Sequence, residues 1–153
     1  MLESTITVLG DLDTGKTAFR WKFALNNFIQ ADDPVVDSCS DRHLLLDGIH
    51  HQVSLVEAVP KSTSAGFLIL YSVTSRTSFE SVRRYYDEII KIRRVEVEAG
   101  VEAKQARGRT APGIGVPVVL AGNKSNLAEE KEGQREVTRA EGEALAKDLG
   151  LGF

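Results

Sequence analysis

One stretch of eight residues, residues 10–17, constrains the fold of this chain more than any other. It reads Gly-Asp-Leu-Asp-Thr-Gly-Lys-Thr and matches the pattern G-x-x-x-x-G-K-[ST]. An apolar, β-branched run at residues 5–9 precedes it, and a run typical of a helix, residues 18–25, follows it. A strand, such a loop and a helix in this order are the setting in which the motif binds phosphate.

The residue types of this phosphate loop (residues 10–17) each have a physical task. Gly10 and Gly15 allow the backbone to turn tightly around an anion, and its N–H groups then form a nest for phosphate. The helix that follows adds the positive end of its dipole. We expect the Lys16 ammonium to reach the terminal phosphates and the Thr17 hydroxyl to bind Mg²⁺. The alternative is a chance glycine-rich turn, which the matching flanks disfavour.

The composition is that of a soluble globular domain. The 153 residues are 42% hydrophobic and 27% charged, and the formal net charge of −3 gives no reason to expect a nucleic acid partner. The single cysteine, Cys39, excludes an internal disulfide and fits a reducing compartment. We find no secretion signal, membrane span or lipidation motif in the chain. We therefore expect one monomeric, cytoplasmic domain without a membrane anchor of its own.

The pattern of apolar residues predicts several further strands. A two-residue turn, Asp47-Gly48, predicts a hairpin between the strands at residues 38–46 and 52–56. Two later runs are almost continuously apolar, which is typical of central parallel strands covered on both faces. The predicted strands are residues 5–9, 38–46, 52–56, 66–73 and 116–121.

Helices are predicted between these strands. Two capping boxes, Thr77-x-x-Glu80 and Thr138-x-x-Glu141, each precede apolar residues at helical spacing. Residues 95–115 lose that spacing and gain glycines, so we expect a frayed helix end and a mobile loop insertion there. The acidic residues 128–134 predict a solvated loop. Strands that alternate with helices predict an α/β fold with a mostly parallel sheet and one antiparallel hairpin strand.

Taken together, the motifs resemble those of the Ras-type small GTPases over nearly the whole chain. Their order and spacing make the resemblance specific. Four matches carry it: the phosphate loop; Phe28, where the family places an aromatic ring against guanine; Asp33-Pro34 before the first switch, with the hairpin Asp47-Gly48 after it; and Gly122-Asn123-Lys124, the start of the guanine signature N-K-x-D.

This resemblance implies a three-layer P-loop NTPase domain over residues 1–153, a Ras-like G domain that lacks the end of its last strand and its C-terminal helix. It implies GTP or GDP as ligand, Mg²⁺ as cofactor, and protein effectors or regulators as partners. A lipidated tail beyond residue 153 would place the protein at the inner face of the plasma membrane. By position, the implied nucleotide contacts are Gly10, Asp11, Leu12, Asp13, Thr14, Gly15, Lys16, Thr17, Ala18, Phe28, Asn123, Lys124 and Asn126. The implied metal residues are Thr17 and Glu57, and the implied catalytic residues are Lys16 and the degenerate water-positioning residue Lys61.

Several positions depart from the family pattern around the third phosphate. Val35 follows Asp33-Pro34 where the family has a threonine, and it offers no side-chain oxygen. Glu57-Ala58-Val59-Pro60 replaces D-x-x-G, and proline lacks the N–H that the family's glycine donates. Lys61 replaces a water-orienting glutamine and is a donor only. Only residues 58–65 separate Glu57 from the next strand, too few to hold a switch helix.

The base site and the phosphate loop also depart from the family pattern. Asn126 replaces the aspartate of N-K-x-D, which weakens selectivity for guanine because an amide presents an NH₂ where an acceptor is needed. Leu12 and Asp13 stand where many relatives have glycine. We therefore expect nucleotide binding with weak GTP hydrolysis. A pseudo-GTPase that serves as an interaction module is the main alternative, and Asn126 leaves an ATP-binding P-loop protein open as well.

Overall fold

The computed structural model describes residues 1–25, 41–61, 63–98, 115–130 and 134–153. In these residues five strands form one sheet in the order β2-β3-β1-β4-β5. Strands β2 and β3 pair antiparallel, and all other neighbours pair parallel. The strands are β1 (Leu2–Leu9), β2 (Asp41–Leu46), β3 (Ile49–Glu57), β4 (Gly66–Ser72) and β5 (Val118–Asn123). The predicted mostly parallel α/β sheet with one antiparallel strand is confirmed.

Helices lie on both faces of this sheet. One cluster of buried residues joins β4 and β5 to the later helices through Phe67, Ile69, Tyr71, Ile89 and Leu120. The cluster on the opposite face contains Val8, Leu55 and Leu68, with Phe19 and Phe23 packed against them. The helices are α1 (Lys16–Leu25), α2 (Arg76–Glu80), α3 (Val82–Glu98), α4 (Ser125–Glu130) and α5 (Arg139–Leu149). Strand β4 is buried along its whole length, as its continuous apolar run predicts.

The hairpin between β2 and β3 forms at the predicted turn. Leu46 pairs with Ile49, so Asp47 and Gly48 are the two turn residues. Their φ angles of 50° and 76° are left-handed, as a type I′ turn requires. The first part of the predicted strand 38–46, residues 38–40, lies outside the described residues.

Local hydrogen bonds decide where the helices begin. Thr138 and Glu141 form the predicted capping box of α5, which ends at Gly150 with a left-handed φ of 70°. The predicted box at Thr77 and Glu80 is wrong. Ser75 is the N-cap of α2, because its extended backbone lets its side chain accept a hydrogen bond from the backbone N–H of Ser78.

Helix extends into both segments that were expected to contain loops. Helix α3 continues to Glu98, so residues 95–98 form the helix end that was expected to precede the mobile loop. No glycine or proline interrupts the helix before Gly100. The rest of that loop, apart from Gly115, lies outside the described residues. Residues 128–130, expected in a solvated loop, belong to α4, since alanine and glutamate also favour helix.

After α5 the chain returns to the edge of the sheet. Gly152 forms a parallel bridge with Val119, accepting a hydrogen bond from the Leu120 N–H and donating one to the Val118 carbonyl. None of the helices in the described ranges combines the length and the apolar character that a membrane span needs.

Candidate functional site

The phosphate loop joins the end of β1 to the start of α1 at the carboxyl edge of the sheet. Gly10, with a φ of 152°, passes directly over β4, where an added Cβ would lie 2.3 Å from the carbonyl oxygen of Leu70. Asp13 and Gly15 have left-handed φ angles of 66° and 88°. The loop therefore has the curled backbone that the two glycines predict.

Side chains inside the loop converge on one carbonyl oxygen. The Lys16 ammonium donates to the backbone oxygen of Asp11 over 2.8 Å, and the buried hydroxyl of Thr14 donates to the same oxygen over 2.9 Å. Helix α1 begins at Lys16, so the free N–H groups of its first turn lie at the loop. A cation, a helix N-terminus and a curled backbone together favour the binding of an anion.

The end of β5 is fastened to the phosphate loop. The side-chain amide of Asn123 donates to the backbone oxygen of Thr14 over 2.9 Å. Gly15 packs so closely there that an added Cβ would lie 2.4 Å from Nδ2 of Asn123 and 3.9 Å from Cε of Lys124. Two of the predicted base-recognition residues thus lie against the predicted phosphate site, although more than 100 residues separate them in sequence.

The other residues of the predicted nucleotide site are placed differently. Asn126 is exposed in the first turn of α4, and Ala18 is exposed in α1. Leu12 is 92% exposed and Asp13 is also exposed, so both side chains point away from the loop interior. Phe28 and Val35 lie outside the described residues.

The two predicted metal residues come together across the sheet edge. The Thr17 hydroxyl donates to Oε1 of Glu57 over 2.8 Å. A hydroxyl that donates in this way keeps its lone pairs for a cation, and oxygen ligands suit Mg²⁺. Thr17 and Glu57 therefore fit a magnesium ion. No cluster of three potential ligands from His, Cys, Asp and Glu occurs in the described ranges, so phosphate and water would have to complete the coordination shell.

Arg20, which was not predicted as a site residue, also contacts Glu57. Its Nη1 lies 3.3 Å from Oε1 of Glu57, the oxygen that Thr17 also contacts. Its Nε donates to the backbone oxygen of Leu55 over 3.0 Å. The available signal was its position three residues after Thr17, which places both residues on one face of α1.

Asp11 links the phosphate loop to helix α3 and was predicted only as a nucleotide contact. Its carboxylate accepts hydrogen bonds from the Ser81 hydroxyl at 2.7 Å, the Tyr85 phenol at 2.8 Å and the Arg84 guanidinium at 3.0 Å. Burial alone would raise the pKa of Asp11. The hydrogen bonds from Ser81 and Tyr85, with the charges of Arg84 and Lys16, outweigh it and lower the pKa. The Asp11 side chain is therefore ionised at neutral pH.

A small cavity of about 230 Å³ opens beside Lys16. Gly10, Pro60 and Tyr85 also line it, and Pro60 is buried there while Lys61 is exposed. Because proline has no N–H, Pro60 presents no backbone donor to this cavity.

The connection from Pro60 to β4 is short and is held by hydrogen bonds. The Ser64 N–H donates to the Lys61 carbonyl over 3.2 Å, and the hydroxyls of Thr7 and Ser64 are 2.6 Å apart. Residues 58–61 and 63–65 contain no helix. For these residues, the prediction that the connection is too short for a switch helix is confirmed.

Comparison with known proteins gives consistent matches. The Ras family model matches residues 50–153. Ras-like protein B of Aspergillus fumigatus is 30% identical in an alignment that covers 97% of this chain and 67% of that protein. Protein ras-2 of Neurospora crassa is 28% identical over 97% of this chain and 68% of that protein. Ras-like protein rasZ of Dictyostelium discoideum is 26% identical over 97% of this chain and 64% of that protein. The chain thus spans about two thirds of the length of each relative. At 97% coverage these alignments include the phosphate loop, which lies before the family match.

Proposed function

Because this chain belongs to the Ras family of small GTPases, we propose that it binds GTP and GDP as a signalling protein. One observation carries the proposal: the hydrogen bond from Asn123 to Thr14 joins the start of the guanine signature to the phosphate loop. A phosphate site and a base site held together in this way suit a nucleotide rather than a simple anion.

In this proposal each described group has a defined task. The backbone N–H groups of the phosphate loop bind the phosphates, and the Lys16 ammonium turns from the Asp11 carbonyl to the terminal phosphate. Thr17 and Glu57 hold Mg²⁺, which when bound neutralises charge on the phosphates. Asn123, Lys124 and Asn126 contact the base.

We further expect hydrolysis to be slow. The wall of the cavity beside Lys16 carries Pro60, which has no N–H to offer a third phosphate. Lys61 is a donor only and does not accept a proton from the attacking water while it is charged. The remaining stabilisation of the transition state is electrostatic, through Lys16 and the metal.

The second candidate is a pseudo-GTPase, an interaction module that neither hydrolyses GTP nor switches. Pro60 and the helix-free connection of residues 58–61 and 63–65 favour it. Effectors or regulators would then recognise one constant surface. The two candidates differ in turnover: GTP hydrolysis at the rate of ordinary relatives would contradict this second candidate.

The direct test is to denature the purified protein and identify any released nucleotide by chromatography. Release of GDP or GTP supports the first candidate, and ATP would favour the ATP-binding alternative. If the protein is empty and does not bind added nucleotide, the proposed function is wrong.

The Lys16→Ala variant tests whether the nucleotide occupies the phosphate loop. It removes the ammonium from the proposed site, so we expect at least a tenfold loss of affinity, since a charge-assisted hydrogen bond is worth about 1.5–3 kcal/mol. Lys91→Ala is the matched control because Lys91 is an exposed lysine of α3, away from the phosphate loop. Equal affinity of the two variants would remove the basis of the proposal.

A further inference from the structure

Two groups of β3, the Leu55 carbonyl and the Glu57 carboxylate, hold the Arg20 side chain in place. It lies one turn after Thr17 in α1 and reaches β3, where Nε donates to the Leu55 carbonyl over 3.0 Å. Its Nη1 is 3.3 Å from Oε1 of Glu57. Only 19% of the Arg20 side chain and 25% of the Glu57 side chain are exposed. The guanidinium is therefore a positioned charge rather than a mobile one.

One carboxylate oxygen serves both partners. Oε1 of Glu57 accepts the hydrogen bond of the Thr17 hydroxyl at 2.8 Å and also pairs with Arg20. Thr17 and Glu57 are the two residues that fit Mg²⁺. The network that would orient them is thus already complete without a divalent cation, because the arginine supplies the positive charge.

The pair of Arg20 and Glu57 reduces the electrostatic attraction that a metal ion would gain from Glu57. A cation near Glu57 must share the carboxylate with a guanidinium, and that fixed charge offsets the attraction. In a partly buried site such a pair is screened less than on the open surface.

Resting on the proposed function, we infer that Arg20 makes nucleotide binding by this protein only weakly dependent on Mg²⁺. The guanidinium holds the Glu57 carboxylate in place, and with it the orientation of the Thr17 hydroxyl, in the absence of the ion. Arg20 is a positioning residue, since it acts through Glu57 and Thr17. The alternative is that the pair of Arg20 and Glu57 only anchors α1 to β3 and does not affect the metal dependence of binding.

The test measures the affinity of a fluorescent GDP analogue by anisotropy, in excess Mg²⁺ and again in excess EDTA. For the unmodified chain we expect the two dissociation constants to agree within about tenfold. A loss of about a hundredfold or more in EDTA would overturn the inference, and this comparison needs no variant.

Variants then assign the effect to Arg20. Arg20→Gln removes the charge, so we expect the loss of affinity in EDTA to grow at least tenfold relative to the unmodified chain. Arg20→Lys keeps a charge and should retain most of the metal independence. Arg139→Gln is the matched control, because it removes an equal charge from an exposed pair with Glu143 on α5.

The outcomes separate this inference from the proposed function. If Arg20→Gln remains folded by circular dichroism and responds to EDTA as the unmodified chain does, the pair only fastens the helix and the inference is wrong. Tight binding that collapses in EDTA for the unmodified chain overturns the inference but leaves nucleotide binding intact. No binding in either condition overturns the proposed function, and the inference with it.

Discussion

The phenol of Tyr85 donates a hydrogen bond of 2.8 Å to the carboxylate of Asp11, 74 residues earlier in the chain. The bond ties the phosphate loop to helix α3. Burial raises the pKa of Tyr85, and so does its hydrogen bond to the ionised Asp11, which keeps the phenol protonated as a donor. The loop is therefore held from its outer side before any ligand arrives.

Replacing Asp11 should destabilise the folded chain. In Asp11→Ala the partly buried Tyr85 phenol loses its acceptor, and the Ser81 hydroxyl keeps the Thr77 carbonyl at 3.1 Å, so we expect the free energy of unfolding to fall by about 1–3 kcal/mol. Urea denaturation at neutral pH measures this. Asp13→Asn is the control, since Asp13 is exposed and asparagine tolerates its left-handed φ; its effect should stay within about 0.5 kcal/mol. Equal effects of the two variants would contradict the role given to Asp11.

Gly15 and Gly48 offer a matched pair of substitutions. Both have left-handed φ angles, 88° and 76°, but an added Cβ meets Asn123 at 2.4 Å in the first case and no atom within 4 Å in the second. Gly48→Ala should therefore cost only the backbone term of about 1–2 kcal/mol. Gly15→Ala should cost more and also abolish binding of the fluorescent GDP analogue. Urea denaturation and anisotropy measure the two effects, and equal losses of stability would show that the contact with Asn123 is not tight.

Pro60 can be tested by giving its position an N–H. In Pro60→Ala a residue that lines the cavity beside Lys16 gains a backbone N–H, so we expect the affinity for a non-hydrolysable GTP analogue relative to GDP to rise about tenfold. Val59→Ala is the control, because Val59 lines the same cavity but already has an N–H, so its replacement adds no backbone donor. Calorimetric titration with each nucleotide gives the ratio. An unchanged ratio in Pro60→Ala would mean that this segment does not approach the third phosphate.

The start of α5 should lose stability in acid. The hydrogen bond to Arg76, followed by those to the Thr138 backbone and hydroxyl, lowers the pKa of Glu141 from its ordinary value of 4.5 to about 2. Because this pKa is depressed in the folded state, the contribution of Glu141 is present above pH 4.5 and is lost as the pH falls toward 2. Glu141→Gln should therefore lower the melting temperature at pH 7. The difference in melting temperature between this variant and the unmodified chain should narrow between pH 4.5 and pH 3.

Glu143→Gln is the control for this pH dependence. Glu143 pairs with Arg139 within the same helix and both side chains are largely exposed, so its replacement should change the melting temperature less. If the melting temperatures of Glu141→Gln and the unmodified chain differ by the same amount from pH 7 to pH 3, the lowered pKa assigned to Glu141 is contradicted.

Local patterns in the sequence were enough to predict most of the fold. The turn at Asp47-Gly48, the buried run of β4 and the capping box at Thr138 each depend on residues close together in the chain, and all three are confirmed. Helix α4 was missed because charged residues suit an exposed helix as well as a loop. The spacing of Thr77 and Glu80 predicted a cap at Thr77, whereas the helix begins two residues earlier with Ser75 as its N-cap.

The contacts within the candidate site were less predictable. The loop glycines and Lys16 follow from the motif itself, whereas Arg20 meets Glu57 across 37 residues and Tyr85 meets Asp11 across 74. Such pairs depend on which strand lies beside which. The sheet order β3-β1-β4 brings them to one edge, and no local pattern encodes that order.

The link between Asn123 and Thr14 gives the proposed site a built-in measure of ligand length. Because the hydrogen bond and the tight packing of Gly15 fix the gap between the loop and the end of β5, only a molecule of matching span fills both ends. If the proposed function holds, pyrophosphate would reach one end and a nucleoside the other, whereas a nucleoside diphosphate would join the two halves. Its second contact would then form at the high effective concentration that the first one sets.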